Sequence, residues 1–252
     1  MITWLTAFLD SPADAWDTSR QFWTAVTGYG LSAARGARGD FQTLVPPDGD
    51  GFLRVQRLHD GGPRVHLDLH VADVRAAADG AVALGAREVA APGHVVMESP
   101  GGLPFCFVRE GERQCPGPAR WTGPDGQTHA SLVDQVALDI PVAAWDAEVA
   151  FWATLTGWEA SAAVPGSEFA PLRRPAAQPL RLLPHRLGEP EGPVRAHLDL
   201  GSTDRPAETA RHVGLGARVE HAGERWTVLV APDGRRYCVT DRDPVSGVRP
   251  PS

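Results

Sequence analysis

Two short stretches of the chain set the side chains of acid–base and ligand chemistry at regular spacing. His66-Leu67-Asp68-Leu69-His70 alternates polar and apolar residues, and His197-Leu198-Asp199-Leu200 repeats its first four positions. In an extended strand successive side chains point to opposite faces. His66, Asp68 and His70 therefore share one face, and Leu67, Leu69 and Val71 the other. An imidazole beside a carboxylate can serve as a general base whose tautomer the acid sets, or as a metal ligand. The plainer alternative is a strand motif whose imidazole bonds a neighbouring backbone group or carboxylate. A cysteine follows each stretch at nearly equal distance: His66 to Cys106 is 40 positions and His197 to Cys238 is 41. Such a cysteine is either a small apolar filler or, where its surroundings favour the thiolate, a reactive group.

The rest of the composition narrows the chemistry. All 24 basic residues are arginine, so Schiff-base chemistry on lysine and a P-loop lysine are excluded. Acid–base work falls to His, Asp, Glu, Tyr or a perturbed Cys. The nucleotide-binding GxGxxG, the GxSxG elbow, HExxH and CxxC patterns are all missing. Three cysteines, Cys106, Cys115 and Cys238, are too few and too scattered for a disulfide framework. A net charge of −7 without a basic cluster argues against nucleic acid as a partner. No apolar run approaches 18 residues, which argues against a membrane span. Met1 to Asp10 lacks a basic n-region, so a cytoplasmic location is expected.

The elements that must position these residues are duplicated. Residues 4–28 align without a gap on residues 133–157 at an offset of 129: Trp16-Asp17 meets Trp145-Asp146, and Phe22-Trp23 meets Phe151-Trp152. The HLDL stretches follow, then Leu84-Gly85-Ala86-Arg87 against Leu215-Gly216-Ala217-Arg218, and Phe105-Cys106 against Tyr237-Cys238. Matched blocks in one order at one spacing mean a tandem duplication. Each copy reads as strand, helix and short strands, twice over. The first helix is expected over Pro12–Thr27 and ends at Gly28; its partner runs over Ala143–Leu155. Helices over Val74–Leu84 and Pro206–Gly214 open the second halves. The expected boundaries are a first domain at 1–110, a Gly/Pro-rich linker at 111–127, a second domain at 128–244 and a fraying tail at 245–252. Trp16, Trp23, Trp145 and Trp152 are expected to pack between helix and sheet, whereas Asp17, Asp146 and Glu148 are expected on solvated helix faces.

In FWTAVTG and FWATLTG, HLDLHVADV and HLDLGSTD, LGAR, and the terminal GGLPFCFV and PDGRRYCV, the chain resembles the vicinal oxygen chelate superfamily. That superfamily includes glyoxalase I, bleomycin-resistance proteins and extradiol dioxygenases. The resemblance implies an α+β fold: four βαβββ modules forming two tandem glyoxalase-like domains, with cup-shaped mixed sheets and the helices outside. It places the family's ligand positions at Thr6, Gln56, His66 and Cys106 in copy one, and at Gln135, Leu183, His197 and Cys238 in copy two. Alternation then sets Trp4, Thr6 and Phe8 inside the first cup, with Arg54 beside Gln56. The family's usual terminal-strand glutamate is cysteine in both copies, and Leu183 offers no donor atom.

Two functions follow from the resemblance. One is a protein that holds a small organic molecule in one or both cups without a tightly bound metal, through Trp4, Thr6, Phe8, Arg54, Gln56, Cys106, Gln135, His197, Asp199 and Cys238. The other is a metal-dependent or acid–base lyase, isomerase or dioxygenase acting through copy one, with His66, Asp68 and His70 as catalytic groups and His66 and Gln56 as candidate ligands. No cofactor is expected in the first reading and a divalent metal in the second. The partner is a small molecule, and the chain is a monomer or homodimer.

Overall fold

In the computed structural model, residues 1–91, 93–109, 111, 113–161 and 166–249 are described. Copy one opens with strand β1 (Trp4–Pro12) and helix α1 (Trp16–Thr27), followed by β2 (Gly30–Leu31), β3 (Phe41–Val45) and β4 (Leu53–Leu58). The pattern restarts with β5 (Arg64–Val71) and α2 (Val74–Ala83), then β6 (Arg87–Ala90), β7 (Val95–Glu98) and β8 (Pro104–Arg109). Between the copies lies β9 (Ala119–Thr122). Copy two runs β10 (Thr128–Ile140), α3 (Trp145–Thr156), β11 (Arg181–Arg186), β12 (Arg195–Ser202), α4 (Arg205–Gly214), β13 (Arg218–Ala222), β14 (Trp226–Val230) and β15 (Arg236–Thr240). The architecture is α+β, with one mixed sheet per copy. No helix among the described residues is long and apolar enough to cross a membrane.

Local chemistry accounts for the helix ends. The α1 and α3 helices stop at Gly28 and Gly157, whose φ values of 71° and 68° are left-handed and cost glycine little. Asp73 and Asp204 cap α2 and α4, each accepting from a backbone N–H three residues on. The α1 helix begins four residues later than Pro12, because β1 continues through that proline.

The strand order is β2-β3-β4-β1-β5-β8-β7-β6 in the first sheet and β11-β10-β12-β15-β14-β13 in the second, where β9 also pairs with β10. In both sheets the strand that opens the second half lies parallel to the last strand. The register sets Asp68 opposite Cys106 in β5 and β8, and Asp199 opposite Cys238 in β12 and β15.

By packing, the chain forms two compact units, and each draws on both copies. One comprises residues 1–8, 65–114 and 136–196, and the other residues 9–64, 115–135 and 197–252. The duplicated aromatic residues explain this division. In the first unit Phe151 and Trp152 of α3 meet Phe105 of β8, at centroid distances of 5.9 and 5.4 Å. In the second unit Phe22 and Trp23 of α1 meet Tyr237 of β15, at 5.9 and 5.2 Å. The first helix of each copy thus buries its aromatic stripe on the terminal strand of the other copy. Trp23 and Trp152 are fully buried and Trp16 is buried, as the spacing implies, while Trp145 is half-exposed.

Two further differences from the sequence reading have clear causes. The inter-copy segment carries a strand because Trp121 of β9 is anchored: its indole donates to Ser131 Oγ at 2.9 Å, and the Arg211 guanidinium lies 3.6 Å from the ring centroid. Residues 243–248 close a turn on the Asp243 carboxylate, which accepts from the backbone N–H groups of Val245 and Ser246.

Candidate functional site

Within the first unit, β5 and β8 bring His66, Asp68 and Cys106 together. One ligand atom from each lies within 4.8 Å of the others, and His66 Nε2 is 4.0 Å from Asp68 Oδ1. The parallel register explains the grouping, since Cys106 stands opposite Asp68 and His66 lies two residues back on the same strand face. Phe8 stacks on the His66 ring at 4.4 Å and 14°, which fixes the imidazole plane. Thr6 Oγ1 and His70 Nε2 are in hydrogen-bonding contact at 3.0 Å, both side chains buried. The β1 contacts thus set Thr6 and Phe8 beside the polar face of β5. Trp4 is fully buried, and its Nε1–H has no acceptor among the described residues.

The second unit holds the matching set. His197 Nε2 lies 3.3 Å from Asp199 Oδ1 and 3.5 Å from Cys238 Sγ. Asp199 Oδ2 accepts from Gln135 Nε2 and lies 3.9 Å from Arg242 Nη1. Arg242 is in turn held by Asp134, with Nη2 donating to Oδ1 at 2.6 Å. Burial alone would raise the Asp199 pKa, but the His197 hydrogen bond, with His197, Arg242 and Gln135, outweighs it and holds the carboxyl below its ordinary range. Where copy one has His70, copy two has Gly201, and the backbone fills that space. A Cβ there would lie 3.0 Å from the Arg242 carbonyl oxygen and 3.2 Å from Pro244 Cα.

Three further expected residues lie on β4 and β11. Arg54 and Gln56 lie half-buried on one face of β4 in the second unit, opposite the buried Leu53 and Val55. Leu183 is half-buried on β11 and supplies no donor.

The donors fit a divalent ion. An imidazole, a carboxylate and a thiolate are a mixed N/O/S set suited to a borderline ion such as zinc. In such a set the carboxylate would come from Asp68 on β5 and not from the terminal strand. The signal for it, Asp two residues after His in both copies, is in the sequence, but the register that carries it to the cysteine is not.

Among the buried polar groups that escape the sequence reading are two glutamates. Glu148, expected on a solvated face, is fully buried in the first unit. It accepts from Gly101 N and, at 2.7 Å, from Trp152 Nε1. Burial pushes its pKa up, and the hydrogen bonds from Ser99, Gly101 and Trp152 only partly oppose this. In the second unit, fully buried Glu208 accepts from Arg211 Nε at 2.7 Å, His129 Nε2 at 2.8 Å and His212 Nε2 at 3.0 Å. Tyr237 OH donates to His212 Nδ1 at 3.0 Å, and Arg211 also donates to the carbonyls of Ala25 and Val26 at the end of α1. Burial opposes ionisation of Glu208, yet Arg211 and His212 outweigh it and hold the pKa far below the ordinary carboxylate value. Burial pushes the His212 pKa down, and the neighbouring Glu208 only partly opposes this. This cluster ties α4 to α1, β10 and β15.

The profile of the glyoxalase-like domain matches residues 6–108 and 135–240. A comparison with curated proteins gives no match. Among solved structures, a variant of 4-hydroxymandelate synthase from Streptomyces coelicolor superposes with a TM-score of 0.62 at 16% identity, covering 100% of this chain and 94% of that one. The Mn(II)-bound glyoxalase from Novosphingobium aromaticivorans gives 0.62 at 18% identity, with coverages of 95% and 82%. A trihydroxybiphenyl dioxygenase from Sphingomonas wittichii gives 0.61 at 13%, with coverages of 95% and 90%. At these identities the likeness is one of fold.

Proposed function

Since the chain belongs to the glyoxalase-like domain family, within the vicinal oxygen chelate superfamily, we propose that it acts on or holds a small organic molecule at the copy-one set of His66, Asp68 and Cys106, with a divalent cation held by those three side chains. The observation that carries this reading is the gathering of imidazole, carboxylate and thiol donors within 4.8 Å. Three protein ligands leave room for an exogenous one, and such an ion would supply Lewis-acid polarisation of a substrate oxygen. The protein's own part is positioning. Phe8 holds the His66 ring in plane, and Asp68 faces the Nε2 atom of that ring. His70, held by Thr6 at 3.0 Å, is the nearby imidazole on the same strand face that can take up or release a proton.

A metal-free binding site is the second reading, favoured by one observation. Trp4 presents a buried indole N–H with no acceptor among the described residues, on the strand that carries Thr6 and Phe8. A ligand oxygen would satisfy it.

Cobalt(II) titration of the purified protein, followed calorimetrically and by the thiolate-to-cobalt charge-transfer band, separates the two. The metal reading expects stoichiometric binding whose band disappears in Cys106→Ser and weakens in Asp68→Asn. A titration with no Cys106-dependent band would sink it and leave the metal-free reading.

A further inference from the structure

The two copies share the His, Asp and Cys donors but not what surrounds them, and one of the differences is a buried pair of charges. Asp134 and Arg242 have no counterparts in copy one: the positions aligned with them hold Leu5 and Glu110, the latter outside the described residues. In copy two the pair forms a buried, two-point ion pair. Arg242 Nη2 and Nε lie 2.6 and 3.4 Å from the two Asp134 oxygens. The guanidinium is thereby aimed at Asp199 Oδ2, 3.9 Å away. Asp199 Oδ2 accepts from Gln135 Nε2 and faces Arg242, while Oδ1, which has no hydrogen-bond partner among the described residues, lies 3.3 Å from His197 Nε2. The segment that delivers Arg242 has its path reserved, because its backbone occupies the space that a side chain at Gly201 would need.

Resting on the reading of the copy-one set as a cation site, we propose that Arg242, clamped by Asp134, is a built-in cation that takes the place of a divalent ion at His197, Asp199 and Cys238 and closes that set to metal. A guanidinium stays protonated throughout the accessible pH range and offers planar, directed donors, so it can balance a carboxylate permanently. An incoming ion would have to strip Asp199 of Gln135 and Arg242 and then sit beside a fixed positive charge in a water-poor site. Copy one therefore takes one ion per chain, while copy two keeps a preorganised cluster that needs none.

The full chain carrying Cys106→Ser isolates copy two. Titrated with cobalt(II), this protein is expected to show no thiolate-to-cobalt band. Adding Arg242→Gln, or Asp134→Leu with Arg242→Met, is expected to create a band that Cys238→Ser abolishes, with affinity raised about tenfold or more. Circular dichroism verifies that these variants are folded. A Cys238-dependent band in the C106S protein with Arg242 intact would overturn the proposal, as would folded Arg242 variants that gain no affinity. Should those variants not fold, the C106S titration decides by itself. Failure of the copy-one reading registers separately, as a wild-type titration with no Cys106-dependent band.

Discussion

Removing the Glu208 carboxylate should expose how much the second unit depends on a single buried charge. Glu208 accepts from Arg211 through Nε at 2.7 Å and Nη2 at 2.8 Å, from His129 at 2.8 Å and from His212 at 3.0 Å. In Glu208→Ala the guanidinium loses its counter-ion and both imidazoles lose an acceptor, and breaking a buried pair in this way costs about 3–5 kcal/mol. Arg211 keeps its bonds to the Ala25 and Val26 carbonyls and its place over Trp121, and its side chain remains 18% exposed. The lower end, about 3 kcal/mol, is therefore expected. For a chain of this size that corresponds to a fall in Tm of about 6–12 °C. The pH dependence has a definite sign. The folded-state pKa of Glu208 is depressed below its ordinary 4.5, so its stabilisation is fully present above that value and is lost as pH falls through the folded pKa. Scanning calorimetry and urea unfolding at pH 7 should show the full gap between wild type and variant, and the gap should shrink from pH 4.5 downward. The double variant Glu208→Leu with Arg211→Met should lose at least about 1 kcal/mol less than the two single losses combined, because no unpaired charge remains. A gap below about 1 kcal/mol at pH 7, or one that grows between pH 4 and pH 3, would refute the reasoning.

Glu148 behaves in the opposite sense. Its folded-state pKa is raised by burial, so the stability it contributes is complete below its ordinary 4.5 and is lost as pH rises through the folded value. Glu148→Met should accordingly be most destabilising, relative to wild type, near pH 4 and least near pH 8, as measured by urea midpoints. Gly201→Ala should cost about 1–3 kcal/mol by overpacking against the Arg242 carbonyl and Pro244, where the contacts would be 3.0 and 3.2 Å. Thermal unfolding that matches wild type would show that the segment gives way freely. Thr6→Val removes the buried partner of His70 Nε2 and should lower stability by about 1–3 kcal/mol. Unchanged unfolding would mean that His70 finds another partner.

Much of this protein is determined by periodicity that can be read along the chain. The gap-free offset of 129 established the duplication, and period-two alternation set His66, Asp68 and His70 on one face. The observed Thr6–His70 and Phe8–His66 contacts follow that alternation. The helical spacing of Trp23 and Trp152 marked them as core. Each of these is a property of residues a few positions apart. What tertiary structure alone decided concerns partners far apart in the chain. Only the parallel register sets Asp68 opposite Cys106 and Asp199 opposite Cys238, which places a carboxylate beside each terminal-strand cysteine. Only packing carries Phe22 and Trp23 of copy one to Tyr237 of copy two, and Phe151 and Trp152 of copy two to Phe105 of copy one. The Glu148 and Glu208 side chains occupy helix positions that look solvated by composition, and it is the distant Gly101 N–H for one and His129 for the other that help to make their burial tolerable. Arg242, 108 positions from Asp134, is one arginine among many until the chain returns across the sheet and the two charges meet out of water.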